Sequence, residues 1–459
     1  MTGWLKNGVI ALAIAGIYSI ILVVLRTPQL SVFFTDQSMF KSALVIHVNL
    51  SVLVWLLAIT GFVWSILKNR SGFESLFLKL VLLSMLLMAI SPFISETVPI
   101  MNNYVPMLEN IIFIIGLNLF GSIMLCFSLQ TIYFSLLNNN TQNYGARIVR
   151  MVQFTSACMF LGVWICFTLS FIGVDKLSNI VPLDIDYYYE MLFWSGGHLL
   201  QFIYTQIMML ALLMLTETRK GGRVIYANIY EMLFALNFIL SLFIFFGHIN
   251  FEVADGEFKE FFTKHMIYAG GIAPTIFVIL LIVEIIQNRA KNIPSFVSAA
   301  FNAASFLFLS GGFIGAIISG VNVTIPAHYH GSTVGISISF MGLSYLICFK
   351  KQILPHILSD EGVIKYVYNH IHDSFNSFAS TAPFYQIYVM LFGQLLHITG
   401  LALAGGYGVL RKTPGSEIPI SAKIYMGMVG LGGLIAIIGG LMFVYICVKN
   451  LLFLRHNQD

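Results

Sequence analysis

Twelve long apolar runs, separated by short polar or charged stretches, cover most of this 459-residue chain. A helix needs about 20 mainly apolar residues to cross the hydrocarbon core of a bilayer, and each run is about that long. The pattern therefore predicts an all-α membrane protein, with one domain over residues 1–459 that is a bundle of about twelve transmembrane helices. The predicted spans lie near residues 8–26, 42–67, 76–95, 109–136, 149–173, 190–216, 225–249, 263–287, 295–319, 328–349, 382–405 and 421–449.

Composition agrees with this class, and charge adds an orientation. Hydrophobic residues make up 58% of the chain and charged residues 10%, with a mean hydropathy of +0.87, far from the values of soluble proteins. Of the 24 Lys and Arg residues, 16 fall on the side of the N-terminus, whereas the opposite loops are rich in Asp and Glu. The positive-inside rule then predicts a multi-pass protein of the cell inner (cytoplasmic) membrane with both termini in the cytoplasm. Because the net charge of +4 reflects this topology, it indicates no nucleic-acid partner.

Six of the 11 histidines lie in or at the edge of an apolar run, all on the side opposite the N-terminus. A titratable imidazole in a bilayer is costly and needs a partner. A single such histidine is as often a hydrogen-bonded packing residue as a ligand, but six at one depth favour metal binding. The six are His47, His198, His248, His265, His328 and His330.

Two of these histidines face opposite ways, because the two steps from His328 to His330 turn a helix by about 200°. They would therefore serve two different centres. His330 with His47 would make a haem six-coordinate, and His328 would face the second centre from the side opposite His198 and His248. Four of the remaining histidines are expected to be solvated surface residues, and they are His356, His370, His372 and His456. His397 could border a haem, but a packing or hydrogen-bonding role is expected for it.

Four segments around these histidines carry a family pattern. The sixth run reads YEMLFWSGGH (189–198), the seventh ends in FGHINF (246–251), the tenth opens with IPAHYHG (325–331), and a later outer loop reads GGYGVLRKT (405–413). They resemble the Y-x-x-L-F-W-x-x-G-H, F-x-H-H-x-F, H-x-H and basic-pair segments of subunit I of the haem-copper oxygen and nitric oxide reductases. The resemblance extends along nearly the whole chain.

The resemblance implies two haems. It makes His47 and His330 the axial ligands of a low-spin haem that passes electrons. It makes His328 the proximal ligand of a high-spin haem, which keeps one face open for substrate. It also implies that Arg411 and Lys412 bind the anionic haem propionates, for which a planar guanidinium is a suitable donor.

The resemblance further implies a second metal, copper or non-haem iron, held by His198 and His248. Here the chain departs from the family, because Ile249 stands where a second adjacent histidine is usual and Ile cannot bind metal. His265 or Gln201 would have to supply the third ligand, or the site is weak or empty. Three other family residues, a tyrosine, a glutamate and a lysine, are replaced by Phe202, Leu200 and Val278.

The function implied is that of the catalytic subunit of a respiratory terminal oxidase, which reduces dioxygen to water. Electrons would come from cytochrome c or quinol, and other subunits of a respiratory complex would be partners. Three alternatives stay open: a nitric oxide reductase, favoured by Phe202; a non-catalytic dihaem electron-transfer or sensor subunit, favoured by Ile249; and a twelve-span transporter. The five cysteines form no CxxC pair, so they indicate neither a disulfide framework nor a thiolate metal site.

Overall fold

The computed structural model confirms the all-α, multi-span fold class. Among the residues that it describes, twelve helices are long and apolar enough to cross a membrane. Those residues are 2–26, 37–66, 73–94, 97–137, 143–287, 293–357, 361–371, 381–409 and 420–451.

The α-helices and strands follow in chain order. They are α1 (Thr2–Arg26), α2 (Gln37–Val48), α3 (Trp55–Trp64), α4 (Phe73–Ile94), β1 (Val98–Ile100), β2 (Met107–Glu109), α5 (Ile111–Leu137), α6 (Tyr144–Ser178), α7 (Ile185–Lys220), α8 (Ala227–Leu242), α9 (Ile244–Asn250), α10 (Gly256–His265), α11 (Ile272–Gln287), α12 (Ser295–Ala316), α13 (Thr324–Cys348), α14 (Lys350–Ile353), α15 (Val363–His370), α16 (Ala382–Gly406) and α17 (Ile420–Leu451). Two π-helical segments, Asn49–Val54 and Met266–Gly270, interrupt the second and eighth spans, and a 3-10 turn covers Leu354–His356.

The chain divides into two compact units. The first comprises Met1–Leu210, Tyr226–Phe277 and Asn369–His372. The second comprises Ala211–Ile225, Val278–Tyr368 and Asp373–Asp459. His47, His198, His248 and His265 therefore belong to the first unit, whereas His328, His330 and His397 belong to the second.

The seventh and eighth spans of the first unit are less regular than the sequence pattern predicts. The seventh is divided at Phe243, whose N–H reaches back to the carbonyl of Leu240 at 3.3 Å in a tight turn. The eighth begins at Gly256, earlier than the predicted 263, because Phe258 and Phe262 are fully buried and extend the apolar face of α10. The division at Phe243 lies five residues before His248, and α10 ends at His265, so both irregularities lie close to predicted site histidines.

A two-stranded antiparallel hairpin lies between α4 and α5 in the first unit. Val98 pairs with Glu109 and Ile100 with Met107, so the loop between the strands contains Tyr104. The apolar pattern gives no sign of this hairpin, since its strands are only three residues each.

In the second unit, the helix that carries His328 and His330 packs backbone to backbone on its neighbour. A Cβ atom on Gly331 of α13 would lie 2.7 Å from the Cα atom of Gly311 on α12, which no side chain tolerates. Small residues at a helix interface permit this close approach in membrane proteins. Gly320, with a φ of 77°, supplies the left-handed residue in the turn between the two helices.

Candidate functional site

His198 of α7 is fully engaged by hydrogen bonds inside the first unit. Its Nδ1 lies 2.7 Å from the carbonyl oxygen of Trp194, and a carbonyl only accepts, so Nδ1 carries the proton. The lone pair of Nε2 then accepts the hydroxyl proton of Tyr104 at 2.9 Å. His198 is 3% exposed. Both ring nitrogens are therefore used within the protein.

Gly197 makes room for the Tyr104 ring. A Cβ atom at position 197 would lie 2.2 Å from Cγ of Tyr104. The Tyr104 ring also meets the Trp194 ring edge-on, with centroids 5.5 Å apart. Gly197 and His198 of the sequence motif thus pack against Tyr104 from the hairpin loop. Sequence reasoning missed this contact.

His248 of α9 lies near the same aromatic cluster. Its Nε2 is 2.9 Å from the hydroxyl of Ser195, and its ring centroid is 5.5 Å from that of Phe262. The His198 ring lies on Phe262 as well, at 6.2 Å. His198 and His248 therefore lie next to the same residue, Phe262.

The third position of the predicted metal site concerns Ile249, His265 and Gln201. Ile249 is 80% exposed, so its side chain points away from the enclosed His248 neighbourhood. His265 donates from Nε2 to the carbonyl of Leu240 at 2.9 Å, and its ring stacks on Phe202 with centroids 5.2 Å apart. Gln201, the other candidate, is half-buried. Across the described ranges, no group of three or more His, Cys, Asp and Glu residues is arranged to hold a metal ion.

A polar cluster lies beside His198 at the end of the span. The amide and side chain of Asn103 both donate to the Glu190 carboxylate. Lys259 pairs with Glu190 at 3.3 Å, and its ammonium lies 4.3 Å from the centroid of the Trp194 ring. The Trp194 indole N–H donates to the Lys259 carbonyl at 3.2 Å. These contacts join the hairpin loop, α7 and α10, and so hold Tyr104 against His198.

His47 has a different bonding pattern. Its Nδ1 lies 3.1 Å from the carbonyl of Ala15 and 2.9 Å from the hydroxyl of Ser19, both on α1. The carbonyl fixes the proton on Nδ1, so the lone pair of the imidazole is on Nε2. His47 is the second-last residue of α2, which the π-helical segment Asn49–Val54 follows directly.

His328 shows the same pattern in the second unit. Its Nδ1 donates to the carbonyl of Gly311 on α12 at 2.7 Å, which again leaves the lone pair on Nε2. A Cβ atom at position 315 would lie 2.5 Å from Nδ1, so Gly315 makes room for the imidazole.

The ring of His330 meets that of His397 on α16, with centroids 4.7 Å apart and planes at 72°. His397 donates from Nδ1 to the carbonyl of Val429 at 2.9 Å. The bond agrees with the packing or hydrogen-bonding role that the sequence predicts for His397. Its proximity to His330 had no sequence signal, because the two positions are 67 residues apart in the chain. Arg411 and Lys412 lie outside the described residues.

No protein-family model matches the chain. It is similar to the uncharacterized protein RP382 of Rickettsia prowazekii (strain Madrid E), with 41% identity over 98% of this chain and 96% of that protein. It is also similar to an uncharacterized protein of Aquifex aeolicus (strain VF5), with 25% identity over 75% of this chain and 83% of that protein. Such identity over nearly the full length of both chains places this protein in the family of the Rickettsia prowazekii protein RP382.

Proposed function

We propose that this protein is a haem-binding subunit of a respiratory membrane complex, related in function to subunit I of the oxygen reductases. The first candidate reaction is reduction of dioxygen to water, with electrons from cytochrome c or quinol. The observation that carries the proposal is the bonding of His47 and His328, each of which donates from Nδ1 to a helix carbonyl. Haem and metal ligands are typically held in this way, because the bond fixes the tautomer and aims Nε2.

The residues present fit a haem ligand at both positions. At His328 the glycine at 315 leaves space for the ring, and Gly311 supplies the carbonyl that orients it. At His47, α1 supplies both orienting oxygens. Bound haem would supply one-electron chemistry and, where only one imidazole binds it, an open iron position. The pairing of His47 with His330 stays a prediction from the sequence.

The residues do not fit the second metal. The one lone pair of His198 already accepts from Tyr104, and Ile249 offers no donor. A second candidate function, a dihaem electron-transfer or sensor subunit, is favoured by this observation. In either function Tyr104, Trp194 and Phe262 enclose His198 and limit its contact with water.

Haem content tests the proposal directly. Purified protein should contain two haems per chain, of which about half binds carbon monoxide after reduction, because only the haem with one imidazole has a free position. His47→Ala should remove the six-coordinate spectrum and leave carbon monoxide binding in place. His356→Ala, a half-buried histidine of a 3-10 turn, is the control and should change neither. A wild type without haem would overturn the proposal.

Copper binding separates the two candidate functions. We expect the wild type to contain no stoichiometric copper, since Tyr104 holds the lone pair of His198. Tyr104→Phe removes a hydrogen bond worth about 1 kcal/mol, so copper affinity at His198 should rise roughly five-fold. Tyr268→Phe, at a tyrosine that is 70% exposed, should leave it unchanged. One copper per wild-type chain that is lost in His198→Ala would contradict this expectation and favour the oxygen reductase.

A further inference from the structure

The exposed side of α5 carries three polar or small residues in a row. Asn118, Ser122 and Cys126 are all exposed and follow one another at intervals of four residues. Residues four apart lie on the same side of a helix, one above the other. We call these three residues the α5 row. The exposed row of the neighbouring helix α4 is apolar instead, and it comprises Leu83, Leu86 and Ile90.

The α5 row lies within the span and not at its ends. The helix has 27 residues, so it is about 40 Å long. Asn118 lies about 10 Å from one end of the helix and Cys126 about 16 Å from the other. The hydrocarbon core of a bilayer is about 30 Å thick, so a centred α5 holds all three residues inside it. The α5 row therefore faces lipid tails, which offer neither donors nor acceptors.

The Asn118 side chain uses only part of its hydrogen-bonding capacity. An asparagine amide has two N–H donors and an oxygen that accepts two bonds. The Asn118 amide donates to the carbonyl of Ile114 in its own helix at 2.9 Å. Within the described ranges the side chain makes this one bond, so its oxygen and second N–H have no protein partner. Such groups are costly in hydrocarbon, and a partner from outside the chain would satisfy them.

Helix α6 extends the polar surface beside Asn118. A Cβ atom on Gly121 of α5 would lie 3.0 Å from Cζ2 of Trp164 on α6, so the two helices approach closely there. Thr168 follows Trp164 by one turn, is exposed, and donates its hydroxyl to the Trp164 carbonyl at 2.9 Å. Since consecutive spans run in opposite directions, Thr168 lies at about the depth of Asn118. Small residues with Ser, Thr and Asn are typical of contacts between helices in membranes.

The α5 row is complementary to itself. Helix α5 contains no Asp, Glu, Lys, Arg or His residue, so no like charges oppose a second copy. Two copies in one membrane have the same orientation, and a two-fold axis along the membrane normal places each residue opposite its own counterpart. An asparagine amide can pair with itself because it both donates and accepts, and a serine hydroxyl can do the same. This favours a second copy over a helix of unrelated sequence.

We propose that the protein forms a homodimer in the membrane through the α5 row. The Asn118 amide of each copy donates to the Asn118 amide oxygen of the other. The small side chains of Ser122 and Cys126 let the two α5 helices approach closely, and Thr168 lies at the margin of the contact. The inference goes beyond the proposed function and does not depend on haem.

The native Cys126 tests the dimer in the membrane. Oxidation with copper(II)–phenanthroline should join the Cys126 thiols of two copies in a disulfide, giving a band of twice the monomer mass that a thiol reductant reverses. Cys126→Ser should remove this band, and Ser122→Cys in that background should restore it. Leu86→Cys in the same background is the matched control, since Leu86 is 45% exposed on α4, and it should give no band.

Three outcomes of the cross-linking would overturn the proposal. The first is the absence of a covalent dimer with both Cys126 and Ser122→Cys. The second is an equal yield with Leu86→Cys, which would indicate random collision. The third is an adduct of Cys126 with a different polypeptide in place of a second copy, which would make the α5 row a contact for another subunit.

The dissociation constant of the dimer tests the role of Asn118. Asn118→Leu should raise it roughly five-fold in liposomes, because each dimer loses its paired amides. Asn250→Leu is the matched control. Asn250 is also exposed and donates to a carbonyl of its own helix, that of Phe246 at 2.8 Å, but it is the last residue of α9. That variant should leave the dissociation constant unchanged.

Single-molecule photobleaching of labelled protein, over a range of densities in the liposomes, measures the dimer fraction. Wild-type protein that stays monomeric at every density would overturn the proposal. An equal dissociation constant for the wild type and Asn118→Leu would overturn the amide pairing. Haem content, measured on the same samples, reports separately on the proposed function.

Discussion

Replacing His328 with glycine should abolish carbon monoxide binding and remove about half of the haem from the purified protein. The imidazole donates from Nδ1 to the Gly311 carbonyl, Gly315 leaves room beside that same nitrogen, and the ring presents one lone pair at Nε2. Without His328 as its protein ligand, the high-spin haem should be released or should no longer bind carbon monoxide. The measurement is the reduced-minus-oxidised spectrum with and without carbon monoxide, together with haem per chain.

Two controls make this result specific to ligation. Free imidazole added to His328→Gly should restore part of the carbon monoxide signal, because it can enter the space of the missing ring. His397→Ala removes another imidazole of the second unit that donates to a helix carbonyl, at 2.9 Å from Val429. That variant should keep carbon monoxide binding. Loss of binding in His397→Ala, with retention in His328→Gly, would mean that the ligand has been misassigned.

The twelve spans could be predicted from the sequence because burial in a bilayer imposes one requirement, about 20 apolar residues, on every helix. The ends were less predictable where polar residues continue a helix beyond the apolar run. The eighth span shows this, since α10 begins at Gly256 with a charged first turn and reaches His265 only at its last residue. The buried faces of Phe258 and Phe262 stabilise this extension, and the charged residues between them mask it in the hydropathy pattern.

Only those features of the candidate site that follow from helix periodicity could be predicted from the sequence. The opposite facing of His328 and His330 follows from residue spacing alone. The Tyr104 contact does not, because 94 residues separate Tyr104 from His198 and the hairpin that brings them together is too short to leave a pattern. Sequence reasoning found the histidines but not their hydrogen-bond partners.

The second unit contains a buried ion pair whose loss should be among the most damaging changes to stability. The Lys220 ammonium binds the carboxylate of Glu284, and the two side chains are 7% and 0% exposed. The other carboxylate oxygen accepts the backbone N–H of Ile225 at 2.7 Å. Glu284 therefore joins the end of α7, the turn after it and α11. A matched pair lies at the surface of the same unit, where Arg223 binds Glu361 at 2.9 Å with side chains that are 35% and 66% exposed.

Glu284→Ala should lower the free energy of unfolding by about 3–5 kcal/mol, because it leaves the Lys220 charge buried without its partner. Glu361→Ala should lower it by about 0–1 kcal/mol, since water solvates Arg223 once the surface pair is broken. Both values are measurable by unfolding in mixed micelles of increasing denaturing detergent. The double variant Lys220→Met with Glu284→Leu should recover most of the loss, because it removes both charges and keeps the volume. Equal losses in Glu284→Ala and Glu361→Ala would show that burial of the Lys220–Glu284 pair does not set its contribution to stability.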